Sequence, residues 1–122
     1  MLRGGHRNDA RLERDGVIYE IRVYEAVEGK ANAMRSRFKN EVIPRMPRHG
    51  IELVGAFVSP IEDGKLTYLT RFANEEARQK SWASFGADPE WKALVAETEK
   101  DGRLWTKLDR VWMKPTDYSL LK

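Results

Sequence analysis

The stretch VIYEIRVY, Val17 to Tyr24, alternates with a period of two. Val17, Tyr19, Ile21 and Val23 form one apolar set, while Ile18, Glu20, Arg22 and Tyr24 form the other and carry a charge pair in their middle. β-Branched and aromatic side chains fit a pleated surface, and no Gly or Pro interrupts them, so the stretch predicts a strand. Working outward, Asp15-Gly16 before it and Glu28-Gly29-Lys30 after it are turn signals. Residues 1–16 are rich in Arg, Asp and Gly, with Leu2 and Leu12 as their large apolar side chains. Such a composition reads as an N-terminal arm, within which Ala10 to Arg14 could add a short extra strand. The domain proper is then 17–122.

A helical stretch is expected from about Ala31 to Arg48, because Met34, Phe38 and Val42 recur every four residues with Ala31 and Met46 beside them. Arg37 and Glu41 are read as a pair on its wet side. Pro44 and Pro47 lack a backbone donor and should loosen the helix after Ile43, and Gly50 should end it, with Arg48 or His49 at its negative end. IELVGAFVSP, Ile51 to Pro60, is apolar or small on both alternating sets from Leu53 to Val58 and predicts a strand buried on both sides. Glu62-Asp63-Gly64-Lys65 is a hairpin turn into a third strand, Leu66 to Phe72. Asn74 caps a helix carrying Ala77, Trp82 and Phe85, and Asp88-Pro89-Glu90 caps and opens another. Arg103 to Met113 is the fourth strand, with Trp105 and Trp112 expected on opposite sets. Tyr118, Leu120 and Leu121 make the last residues apolar enough to dock.

The order strand, helix, strand, strand, helix, strand defines an α+β, ferredoxin-like βαββαβ plan: a four-stranded antiparallel sheet with the helices on one face. If Tyr19, Ile21 and Val23 meet the helices, the other face should be polar. The second and fourth strands keep it apolar, and an uncovered face of that kind is an association surface. A second copy packed sheet to sheet is therefore expected, burying roughly 2,000 Å² or more, as obligate homodimers do.

Composition narrows the function classes. With 122 residues and no cysteine, the chain favours one domain without disulfides, thiol nucleophile or cysteine-held metal, and fits a reducing, cytoplasmic setting. The net charge of +3 comes from interspersed signs, which argues against nucleic acid as a partner. No apolar run approaches the roughly 20 residues of a membrane helix. His6 and His49 are too distant to suggest a metal or haem site, and neither a G-x-S-x-G elbow nor a phosphate-cradling glycine loop is present, so no cofactor is expected. The tryptophans Trp82, Trp91, Trp105 and Trp112 read as core or interface.

EIRVY (Glu20 to Tyr24), RHGIELVG (Arg48 to Gly55), YLTRF (Tyr68 to Phe72), DPEW (Asp88 to Trp91) and KPTDYS (Lys114 to Ser119), in this order, resemble the NIPSNAP family. The resemblance runs from about Val17 onward and implies a small, single-domain, bacterial-type member with a dimeric α/β-barrel fold. It supplies no catalytic set. Thr70 stands where many relatives carry an aromatic residue.

On this reading Glu20, Arg22 and Tyr24 face the space between two packed sheets. There Glu20 could serve as a general base, with Arg22 or Tyr24 orienting a polar ligand. The competing reading makes Glu20 and Arg22 an ion pair, with Arg71 or Arg110 joining from neighbouring strands. Glu20, Arg22, Tyr24, Arg71 and Arg110 are thus the ligand-binding candidates. Three functions remain open: a homodimer binding a small molecule, a cofactor-free oxygenase, isomerase or cyclase, and a protein-interaction module without ligand.

Overall fold

The computed structural model describes residues 16–122. The expected strand at Ala10 to Arg14 and His6 lie outside the described residues. Strand β1 (Ile18–Ala26) is followed by helix α1 (Ala31–Arg37), β2 (Glu52–Val58), β3 (Lys65–Phe72), α2 (Glu75–Ala87), α3 (Pro89–Thr98) and β4 (Trp105–Met113). The strands form one antiparallel sheet in the order β2-β3-β1-β4, the α+β ferredoxin-like arrangement.

Local chemistry sets the element ends. Asn74 caps α2 by accepting the Ala77 amide at 2.7 Å, and Asp88 caps α3 by accepting the Glu90 amide at 2.9 Å, with Pro89 in the first turn. Gly50 takes the left-handed conformation (φ 74°, ψ 23°) that stops the first helical segment. That segment loosens earlier than expected. α1 passes into a π-helical turn at Phe38–Val42, where the Ile43 amide reaches back to the Phe38 carbonyl. The Pro44 ring crowds the carbonyl four residues before it, at Asn40, so the wide turn precedes the proline.

Which face of the sheet meets the helices is the main correction to the sequence reading. Register sets Ile18 opposite Phe72, Glu20 opposite Thr70, Arg22 opposite Tyr68 and Tyr24 opposite Leu66. These residues point at the helices, and Leu66, Tyr68 and Phe72 belong to the core with Phe38, Met46 and Phe85. Burying a side chain such as Phe72 contributes roughly 1.5–3 kcal/mol. Tyr19, Ile21 and Val23 instead occupy the opposite, helix-free face, which no helix covers among the described residues. Glu20, Arg22 and Tyr24 therefore lie between sheet and helices, and not on the face where a second sheet would pack.

Two other expectations change for related reasons. β2 was expected to be buried on both sides, yet it is an edge strand whose Phe57 and Val58 are 59% and 58% exposed. Its Gly55 accommodates the Phe57 ring, for a β-carbon there would meet the ring at 2.9 Å. Trp105 and Trp112 both lie on the helix side of β4, because a bulge pairs Ala26 with Trp105 directly after Glu25 with Lys107. The extra residue, Thr106, turns the alternation over. The final residues cross one corner of the helix-free face. The Lys122 carbonyl accepts from the Tyr19 hydroxyl and Arg71 Nε, each at 3.0 Å, while Tyr118 and Leu120 stay exposed.

Candidate functional site

Glu20 is completely buried. Its Oε1 accepts from Trp82 Nε1 at 2.7 Å and from Arg78 at 3.3 Å, and its Oε2 accepts from Arg22 Nε at 3.0 Å. The spacing of Arg78 and Trp82, four residues apart on α2, puts both on the helix face above β1. Arg78 also grips Glu75, which sits in the positive first turn of α2 (Nε to Oε1, 2.8 Å). The Arg78 hydrogen bond holds the Glu75 carboxyl below its ordinary value, against the opposing effect of burial. Thr70 Oγ1 donates to the Glu20 carbonyl at 3.2 Å. Buried charge is tolerated only when paired and hydrogen-bonded, and each Glu20 oxygen has such partners.

This network fixes Arg22. Its guanidinium stacks over the Trp82 ring at 3.7 Å, and its Nη1 lies 3.4 Å from the Tyr24 hydroxyl. Burial opposes the charge of Arg22, but the Tyr24 and Tyr68 phenols and Glu20 around it raise its pKa above the ordinary value. Tyr68 donates to the Tyr24 hydroxyl at 3.4 Å, and the two rings stack at 5.8 Å. Burial lifts the Tyr68 phenol well above its ordinary range, and Tyr24 adds to the lift, so Tyr68 is a neutral hydroxyl at physiological pH.

Arg22, Tyr24 and Tyr68 form one wall of a cavity of about 500 Å³ between sheet and helices. Phe38, Phe85 and Trp91 supply apolar lining from the helical side, and Trp105 and Arg110 come from β4. The volume falls within the roughly 300–1,000 Å³ usual for small-molecule sites. Glu20 does not line the cavity. Its carboxylate accepts from three donors behind the wall, one of them Arg22, and presents no oxygen to the cavity.

The remaining sequence candidates separate. Arg110 stands directly opposite Arg22 across β1 and β4 and lines the cavity. Arg71 is on the other face, 3.4 Å from Glu52. The pairing role proposed for Arg71 or Arg110 is filled by Arg78, which strand alternation could not reveal. Arg37, read as solvent-facing, is buried. It donates to Glu99 at 2.8 Å and Thr98 at 3.0 Å, while Glu41 pairs with Arg45 at 2.7 Å. His49, expected as a helix cap, bridges two elements: Nδ1 lies 2.7 Å from Ser84 Oγ and Nε2 3.0 Å from Asp88. Among the described residues no group of His, Asp and Glu is placed to hold a metal ion, and no helix is long and apolar enough to cross a membrane.

An antiparallel four-stranded sheet with its helices on one face and an arginine- and tyrosine-walled cavity beneath them defines the class: a ferredoxin-like α+β protein with a sheet–helix pocket. The NIPSNAP family model matches residues 19–120, and the chain belongs to that family. Among solved structures it is similar to a NIPSNAP family protein from Agrobacterium tumefaciens, at 22% identity over 87% of this chain and 99% of that one, with a TM-score of 0.75. A second NIPSNAP family protein from the same organism, described as of unknown function, is 28% identical over 88% of this chain and 96% of that one, with a TM-score of 0.74. A proposed antibiotic biosynthesis monooxygenase from Chloroflexus aurantiacus shares the fold at 16% identity, covering 83% of this chain and 94% of that one, with a TM-score of 0.59. Comparison with curated proteins gives no match.

Proposed function

We propose that the chain is a cytoplasmic homodimer that binds a small molecule in the cavity between its sheet and its helices. The observation that carries this reading is the cavity of about 500 Å³, walled by the preset Arg22–Tyr24–Tyr68 group. Apolar space with a few oriented polar groups is the usual form of a ligand site. The dimer reading is supported by the helix-free face, where Phe57, Val111 and Met113 are 59%, 58% and 36% exposed beside Ile21, Val23 and Leu69. The absence of cysteine fits a reducing compartment.

A second reading, a cofactor-free enzyme, is favoured by one feature. The Tyr24 hydroxyl lies within 3.4 Å of both the Arg22 guanidinium and the Tyr68 hydroxyl, an arrangement suited to stabilising negative charge on a bound substrate. In that role Tyr24 replaces Glu20 as the reactive-group candidate.

Thermal-shift screening against small metabolites tests the site, since a ligand that binds the folded state raises the melting temperature. Val95→Trp, which adds bulk at a cavity-lining position of α3, should abolish the shift while the chain stays folded. A shift that survives in Val95→Trp, or no shift with any metabolite, would overturn the pocket reading. Turnover of a bound compound, lost in Tyr24→Phe with binding retained, would select the enzyme.

A further inference from the structure

We infer that the ligand of this cavity is a carboxylate with an apolar body, its anionic end held between Arg22 and Arg110. This rests on the pocket reading above and specifies the chemistry of its occupant. Arg22 and Arg110 are direct cross-strand partners on one face of an antiparallel pair, so their β-carbons are roughly 4.5–5.5 Å apart. Like charges placed opposite each other in this way destabilise a sheet. Glu20 balances Arg22 from behind through Nε, on the side away from the cavity. Arg110 has no carboxylate partner among the described residues. A carboxylate between the two guanidinium groups would relieve the repulsion and receive charge-assisted hydrogen bonds from both.

The rest of the lining agrees in sign. Arg22, Arg37, Arg103 and Arg110 border the cavity against one acid, Glu99, which is already bound to Arg37 at 2.8 Å. Arg103 has no carboxylate partner among the described residues either; its guanidinium lies 4.5 Å from the Trp105 ring. The cavity is therefore cationic where β1 and β4 meet it and apolar along the helices, where Phe38, Val42 and Phe85 line it. A bare inorganic anion would leave that apolar part unfilled, and a neutral apolar molecule would leave the cross-strand pair Arg22 and Arg110 without a shared anion. An amphipathic monocarboxylate fits both ends.

The test uses the full chain and three probes, octanoate, octanol and inorganic phosphate, followed by calorimetry and thermal shift in the wild type and Arg110→Gln. Octanoate should bind the wild type and lose roughly tenfold or more in affinity in Arg110→Gln, the scale of one charge-assisted contact. Octanol should bind both proteins alike and more weakly than octanoate, and phosphate should bind more weakly still. Without any probe, Arg110→Gln should melt at or above the wild-type temperature, because it removes the opposed charge. Equal binding of octanoate and octanol would overturn the carboxylate assignment and leave the pocket standing. Phosphate binding as tight as octanoate would overturn the apolar body. No binding of any probe would remove both the assignment and the pocket, and a clear drop in the ligand-free melting temperature of Arg110→Gln would overturn the opposed-charge premise.

Discussion

On the helix-covered face of the sheet, Glu20, Arg22 and Thr70 are buried beside Tyr68 and Phe72. On the opposite face Phe57 and Val111 stand in solvent. A fully buried carboxylate and a buried guanidinium are inside, and much aliphatic surface is outside beside solvated charges such as Arg71 and Glu52, which departs from the usual arrangement of a half-covered sheet. The departure is affordable because the inner charges arrive with partners. One carboxylate meets two guanidinium groups and an indole, drawn from β1 and from a helix about sixty residues later in the chain (|i−j| 58 and 62). Among the described residues the outer face has no comparable internal cover, apart from the corner reached by Lys122. The contrast teaches that polarity along a strand reports which side chains can be satisfied, and only indirectly which side is inside.

The largest effects should come from breaking the covered face. Glu20→Gln leaves Arg22 buried without its anion and Arg78 with Glu75 alone, and should cost about 3–5 kcal/mol in urea unfolding. Phe72→Ala, at a core position, should cost a similar amount, about 3–5 kcal/mol. A middle-sized effect is expected from the α2 cap that orients Arg78 and Trp82: Asn74→Ala should lower stability by about 1 kcal/mol. The same measurement on Phe57→Ala, made in a chain kept monomeric, should give less than about 0.5 kcal/mol, as for an ordinary surface change. A large loss there would mean that the helix-free face contributes to the fold of a single chain.

The pH dependence sharpens the comparison further. The Glu75 and Asp88 carboxyls are both held below their ordinary values, chiefly by hydrogen bonds from Arg78 and His49 respectively. Their folded values lie below their unfolded ones. The stability they contribute is therefore fully present above the unfolded carboxylate range, roughly pH 4, and is lost as pH falls through the lower folded values. Urea midpoints should decline on acidification below about pH 5, and the decline should be shallower in Glu75→Gln.

The strands, the hairpin, the caps at Asn74 and Asp88 and the stop at Gly50 were legible because each depends on neighbours in sequence. The order of elements along the chain, and with it the ferredoxin-like plan and the family, followed from the same local signals taken together. The facing of β1 was not legible, since it is decided by Arg78 and Trp82, and nothing within β1 reports them. One signal did exist: β3 alternates Leu66, Tyr68, Thr70 and Phe72 against Thr67, Leu69 and Arg71, and the heavier aromatic set marks the core side. The placement of Trp105 was hidden by the bulge at Thr106. Arg37 looked solvent-facing because its partners, Thr98 and Glu99, come from the far end of α3. The cavity wall was half visible, in Arg22, Tyr24 and Arg110, but Tyr68, Trp82 and Trp91 join it only through tertiary packing.

The proposed division between a ligand-holding inner face and a pairing outer face is tested most directly by sedimentation equilibrium of the wild type and Val111→Asp at micromolar concentration. Wild type should have twice the mass of one chain. Val111→Asp should have the mass of one, since burying an unpaired carboxylate at a two-fold contact costs several kcal/mol. A wild-type protein with the mass of a single chain at this concentration, its Val111 face in water, would contradict the division.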